Sequence, residues 1–307
     1  MTSASLPALE PGAVDQFRAA GRIARDARKL AVQLIRPGAR LADVMDEVER
    51  FIVAEGGGMA FPAQTSRNHI AAHYCPAPKD RTTYQEEDVV KVDIGVEVNG
   101  YVADNAQTVY LGEDPRYHKL IQASAAGLEA AIQTAGPGVA VRDIAMAIEG
   151  AILEHGYRPV TNLTGHGVAR WKVHTAPQIP AVADRWTRGT LEEGMVVAIE
   201  PFATNGAGPV QEAGKSEIFM LQKVPRKLKG IDHSVWAAIE GMKGLPFSRR
   251  TLANLPEEAV ENSIGRLRRT GCLIDFPPLV DTDPAVRIAQ TEHTMIVTSD
   301  GVEVTTA

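Results

Sequence analysis

The sequence predicts an α+β fold in which helices cover one face of a mostly antiparallel sheet. Two observations carry this reading. A pair of amphipathic helices occurs twice with the same punctuation: Pro37-Gly38, Asp43, Glu49, Ile52 and Gly56 match Pro137-Gly138, Asp143, Glu149, Ile152 and Gly156 at a constant offset of 100 residues. Each pair is followed by a strand-like run that ends in an acid, Glu86–Asp93 and Glu192–Glu200. Helices and then sheet, twice in the same order, read as an internal duplication.

The first helix is expected over 13–35, where Val14, Phe17, Ile23, Leu30 and Leu34 recur near helical spacing and Pro37-Gly38 stops the run. Leu41, Val44, Val48, Phe51 and Ile52 mark the second, closed by Gly56-Gly57-Gly58. The second copy places helices at about 116–135 and 141–155. From Lys91 to Asp104 the even positions 92, 94, 96 and 98 are apolar and the odd ones polar, a strand with one buried face, and Asn99-Gly100 signals a two-residue hairpin turn. A short strand is expected at Pro159–Leu163, followed by a sharp turn at Gly165-His166-Gly167, whose glycines also permit close approach to the imidazole. Residues 290–304 return to strand character.

Residues 223–278 break the pattern with short helices at about 233–242, 249–254 and 257–270. They read as an inserted helical subdomain, leaving 1–222 and 279–307 as the main domain. Ten Lys and Arg against six Asp and Glu make this segment +4, although the whole chain is −6. The basic segment has two readings, a solvated helical surface or a docking face for a partner.

The negative net charge argues against a general binder of nucleic acid or anionic membranes. Only Cys75 and Cys272 are present, with no CxxC, so neither a disulfide scaffold nor a thiolate zinc site is expected. No apolar run reaches the roughly 18 residues of a membrane span. The N-terminal MTSASLPALEPG lacks a basic head and apolar stretch, so no secretory signal is expected and the cytoplasm is the default.

The chemistry concentrates on acids. An Asn99-Gly100 turn sets Gly95 opposite Asp104 and makes Asp93 the diagonal neighbour of Asp104, at most about 7–8 Å away on the same face. Gly95 is expected to leave open space beside both. Two such carboxylates repel unless one is protonated or a cation lies between them; the alternative is an exposed strand face with its acids in water. Glu200 ends an apolar strand before Pro201, and Glu292 interrupts another, positions that packing explains poorly. With His166 these four carboxylates would form a hard, oxygen-rich dinuclear site suited to Mn²⁺, Fe²⁺, Co²⁺ or Zn²⁺. His293 is expected to point away from Glu292, because strand neighbours alternate. His118, His155 and His233 read as surface or structural residues. Gly214-Lys215-Ser216 fails as a phosphate loop because Pro209 stands where its first glycine belongs.

The ordered set Asp93, Asp104, His166, Glu200 and Glu292, in the contexts VDIG, ADNAQT, TGHG, IEPFAT and EHT, resembles the metal ligands of the methionine aminopeptidases and their duplicated pita-bread fold. The long gap between Glu200 and Glu292, filled by a helical, winged-helix-like insertion, is similar to the type 2 branch, archaeal and eukaryotic. The resemblance covers about residues 12–306. It implies two divalent ions (Co, Mn, Fe(II) or Zn), with Asp93 chelating one, Asp104 and Glu292 bridging, and His166 and Glu200 on the other. It implies Glu200 as proton acceptor and His73 and His174 as the histidines that contact the scissile peptide and its tetrahedral intermediate. Phe61, Pro62, Val173 and Ile218 fall where the family lines its methionine pocket. Nascent polypeptide N-termini with a small second residue are the implied substrates, which makes the ribosome the implied partner if the basic segment 223–278 is a docking face, and a monomer is expected. Thr291 departs from the aromatic residue expected before Glu292-His293. A proline-specific peptidase of the same fold and a non-catalytic scaffold are the alternatives.

Overall fold

In the computed structural model, residues 10–307 are described. Residues 1–9 of the segment read for a leader lie outside them. The first copy opens with α1 (Ala13–Leu34) and α2 (Leu41–Ala54), the second with α3 (Pro115–Thr134) and α4 (Val141–Glu154). The buried stripe of α1 is mostly small, Ala20, Gly21, Ala24, Ala27 and Ala31, so the helix lies close to what it covers. At Gly21 a Cβ would overlap the Thr305 carbonyl. Asp114 caps α3 by accepting from the Arg116 N–H at 2.9 Å, with Pro115 at the first helical position.

Every strand pair is antiparallel. β1 (Gln64–Arg67), β2 (Val89–Val98) and β3 (Tyr101–Tyr110) form the first sheet together with Gly58–Met59. The second is built from β4 (Thr164–Ala169), β5 (Lys172–Pro180), β6 (Val196–Ile199), β10 (His293–Val297) and β11 (Val302–Val304), in the order β11-β10-β6-β4-β5. The numbers between belong to β7 (Ile218–Leu221), β8 (Leu273–Phe276) and β9 (Ile288–Gln290). The two sheets meet where Ala106 and Glu292 exchange backbone hydrogen bonds. Each copy buries its own core: Val90, Val92, Ile94 and Val96 under α1 and α2, and Val197, Ile199 and Met295 under α3 and α4.

The hairpin register is as expected, with Gly95 opposite Asp104 and Asp93 opposite Ala106. Three local expectations change. β2 is buried on both faces as far as Val96 except at half-buried Asp93, not on one face, because Phe61 covers Gly95 and the Lys91 ammonium donates to the Asn68 carbonyl at 3.0 Å. No strand spans Pro159–Leu163; only Arg158–Pro159 is extended and paired. His166 accordingly sits inside β4 and not on a turn. Its flanking glycines serve close approach alone: a Cβ at Gly165 would stand 2.6 Å from the Ala198 carbonyl, and one at Gly167 would overlap the Ala176 carbonyl.

The segment 223–278 carries α5 (His233–Gly241), a single 3₁₀ turn (Arg250–Leu252) and α6 (Glu257–Arg269) around a core of Trp236, Ile239, Phe247, Ile264 and Leu267. It is not purely helical. β8 and the short strand Phe247–Ser248 pair with β7, on either side of it. Arg250 anchors this unit to the first copy. Its buried guanidinium reaches Asp46 at 3.0 Å and pairs with Glu49, which also accepts from the Ala63 N–H at 3.0 Å. Arg250→Ala strands Glu49 without its counter-charge and is expected to cost about 3 kcal/mol, read by denaturant unfolding. A loss below about 1 kcal/mol would mean the anchor is dispensable.

Candidate metal centre

The first two carboxylates come from the β2–β3 hairpin, whose register puts Asp93 and Asp104 on one face as diagonal neighbours. The space above Gly95 is filled. A Cβ there would overlap the Phe61 ring, so the glycine lets that ring come into close contact with the sheet. Glu200 follows the last residue of β6, and Glu292 sits in the gap between β9 and β10, fixed by its backbone bridge to Ala106. Thr294 clamps the hairpin from below: its hydroxyl accepts from the Asp104 N–H and donates to the Asp104 carbonyl, both at 2.8 Å.

His166 completes the set. Its Nδ1 lies 3.3 Å from the Gly167 carbonyl, and donation there assigns the proton to Nδ1. The Nε2 lone pair then faces Asp104 Oδ2 at 3.7 Å and Glu200 Oε1 at 3.8 Å. Burial, and secondarily His174, pushes the imidazole pKa down to about 3, so the ring is neutral. Ligand atoms of Asp104, His166 and Glu292 all lie within 4.8 Å of one another.

This arrangement is unfavourable without a cation. Burial, followed by mutual repulsion, holds Asp104, Glu200 and Glu292 well above the usual carboxylate range. Burial raises Asp93 to about 7. One oxygen each of Asp93 and Asp104 is buried with no hydrogen-bond partner. Two donors about 2.1 Å from one ion stand about 3–4 Å apart, the spacing found around His166 Nε2. Orphaned oxygens, a neutral imidazole and that spacing fit divalent cations with oxygen and nitrogen preference.

These five residues line the floor of a cavity of about 1300 Å³. His73 and His174 line it. His73 has a left-handed backbone (φ 65°) and its N–H donates to Gln64 Oε1 at 2.9 Å. Burial pushes its ring down to about 4, with His174 contributing. The His174 ring packs edge-on to His166, centroids 4.3 Å apart. Phe61, Val173 and Ile218 also line the cavity; Pro62 is buried but is not part of the wall.

A match to the model of metallopeptidase family M24 covers residues 15–299. The chain belongs to that family. A methionine aminopeptidase from Thermococcus kodakarensis is 42% identical over 289 residues, 94% of this chain and 97% of the relative. A crystal structure of methionine aminopeptidase from Thermotoga maritima superposes with a TM-score of 0.72 at 23% identity, covering 98% of this chain and 99% of that one. A prolidase structure from Pyrococcus furiosus superposes at 0.63 with 18% identity, this chain spanning 65% of its length. At such identities the two structures speak to the fold alone, and both share the pita-bread architecture of this metallopeptidase.

The site holds residues beyond the sequence-predicted set. Buried Gln290 directs Nε2 to Glu200 Oε2 at 3.2 Å and to Glu292 Oε2 at 3.4 Å, holding two carboxylates from different strands. Its position two residues before Glu292, on the same strand face, was the available signal. Phe276, Pro246 and Leu279 add an apolar wall from the far side. Phe276 pairs with Ile218 across β7 and β8 and meets the His73 ring edge-on at 5.7 Å. The segment 223–278 therefore contributes part of the cavity wall through Pro246 and Phe276. Thr291, in place of an aromatic residue, hydrogen-bonds Ser124 of α3 at 2.8 Å. His293 faces away from Glu292, toward Arg28 and Thr306.

Chelation is expected to lower Tm, and divalent metal at 100 times its Kd to restore about 2.7 kcal/mol of stability, measured calorimetrically. In metal-free protein Glu292→Gln removes a carboxyl that must stay protonated or else repel its neighbours, so its Tm advantage over the parent should grow as pH rises through the neutral range, and it should gain less from added metal. Gln290→Leu frees both glutamates and should weaken metal affinity by about 10- to 100-fold, measured by titration calorimetry.

Proposed function

We propose that this metallopeptidase removes the N-terminal methionine from polypeptides whose second residue is small, using two divalent ions held by Asp93, Asp104, His166, Glu200 and Glu292. The observation that carries the reading is the buried cluster of four carboxylates and a neutral imidazole at the floor of one cavity with an apolar wall. Near-full-length relatives named methionine aminopeptidase support it. Co, Mn, Fe(II) and Zn all suit this donor set.

When bound, such ions polarise the scissile carbonyl and bring a water within reach of deprotonation near neutral pH. The protein's own groups do the rest. Glu200 takes the proton of the attacking water and delivers it to the leaving nitrogen as the C–N bond breaks and the C–O bond forms. His73 and His174 stabilise charge developing on the carbonyl oxygen. The substrate's free amine is received among the carboxylates, a contact no internal peptide bond offers, which makes the enzyme an exopeptidase. Phe61, Val173 and Ile218, with Phe276 added, take the methionine side chain by apolar burial.

The substrates so defined are nascent polypeptide N-termini. No helix among the described residues is long and apolar enough to cross a membrane. Cys75 and Cys272 are free and buried, which supports a reducing, cytoplasmic setting. A monomer is proposed as the working unit, and the basic face of 223–278 as a ribosome-facing surface is the remaining partner proposal.

Asp104→Ala and Glu292→Ala are expected to lower kcat/KM on Met-Ala-Ser by at least about 1000-fold, since loss of a ligand forfeits several kcal/mol of transition-state stabilisation. Activity within tenfold of the parent would refute the assignment. The proline-specific alternative predicts turnover of an Xaa-Pro substrate in preference to Met-Ala-Ser, and the scaffold alternative predicts none of either.

A further inference from the structure

The cavity continues well past the methionine pocket. At about 1300 Å³ it exceeds the roughly 300–1,000 Å³ of a small-ligand site. Its lining runs along β5, the edge strand of the second sheet, through Gln178 and Pro180, to the loop that carries Asp184, Trp186, Thr187 and Arg188. Asp104 and Glu292 are almost wholly buried, so they are the floor; Trp186 is 68% exposed, so this loop is the mouth.

An indole standing that far into solvent has forgone its own burial, and an exposed aromatic is an anchor for partners. It is held ready. The Arg185 guanidinium stacks on the ring at 4.7 Å from its centroid. Asp184 accepts from the Trp186 and Thr187 N–H groups, both at 2.7 Å, and from the Thr187 hydroxyl at 3.0 Å. These bonds lower the Asp184 pKa and use its charge within the loop. Gly189 and Thr190 tie the far end of the loop to the start of α4, through the Val141 N–H and a bridge to Ala140. Arg188 donates to the carbonyls of Arg185 and Thr187, which fixes its guanidinium in the cavity wall.

Resting on the aminopeptidase reading, we propose that Trp186 and Arg188 form an exit subsite that grips the substrate chain from its third residue onward and favours an acidic residue there. The cavity that holds the apolar pocket extends along β5 to these side chains, so a chain whose first residue lies in that pocket can follow this wall to them. Trp186 packs against the extended peptide and Arg188 pairs with a carboxylate, both before and during the reaction. The gain is thus one of binding and appears in KM.

The test compares kcat/KM on Met-Ala-Ser and on Met-Ala-Ser-Asp-Glu-Phe-Ser-Gly with metal-loaded enzyme. Each variant is read as the ratio of octapeptide to tripeptide, so a general loss of activity cancels. The parent ratio is expected to be about ten, arising in KM. It should fall to about one in Trp186→Ala, stay near the parent value in Trp186→Phe, and in Arg188→Glu be larger for an octapeptide with Lys-Lys in place of Asp-Glu. A parent ratio near one, or a ratio unmoved by Trp186→Ala, overturns the subsite. Tripeptide turnover tests the underlying activity separately. If neither peptide is cleaved, octapeptide titration of tryptophan fluorescence still decides: a saturable change lost in Trp186→Ala upholds the subsite, and its absence in the parent overturns it.

Discussion

The structure depends on a repulsion it does not relieve by itself. Asp104 and Glu292 are buried beside Asp93 and Glu200, and the lone pair of a neutral His166 faces the same point. Burial would ordinarily neutralise such groups by protonation. Divalent cations are the alternative, and the spacing around His166 suits them. This arrangement would link folding to metal binding, because a divalent cation held there would stabilise the native state by offsetting the charge that the fold concentrates.

Holding acids that repel one another requires rigid backbone. The hairpin fixes Asp93 and Asp104 by register, Thr294 clamps the backbone of Asp104, and Gln290 joins Glu200 to Glu292. The duplicated halves meet at the Ala106–Glu292 bridge, so the candidate site lies on the seam between two copies, each with its own hydrophobic core. Placing the site on that seam makes both cores its support. The insertion adds the last wall, with Phe276 set against His73, and Arg250 locks it to α2.

Much of this was legible. The expected first helix, 13–35, ends within one residue of the observed Leu34, and the Asn99-Gly100 turn gave the register that pairs Gly95 with Asp104. Both signals are local: helical periodicity and turn chemistry act within a few residues. What stayed hidden required distant partners. Gly95 looked like open space because only the fold brings Phe61 onto it. His166 looked like a turn residue because glycines serve tight turns and close packing alike, and only the neighbouring strands reveal which. Phe276 and Pro246 read as part of a surface subdomain until β7 and β8 paired.

By itself the sequence determined the identities of the acids and histidines, their order, the duplicated helix-then-sheet plan and the turn that aligns the first pair of carboxylates. These follow from side-chain chemistry and short-range backbone preference, which neighbouring residues fix. Only the tertiary structure decided that four carboxylates separated by up to two hundred positions share one floor. The same holds for the glutamine that couples two of them, the insertion that walls the cavity and the tryptophan at its mouth. Distance in space between residues far apart in the chain is set by how cores pack and sheets pair, and no local pattern records it.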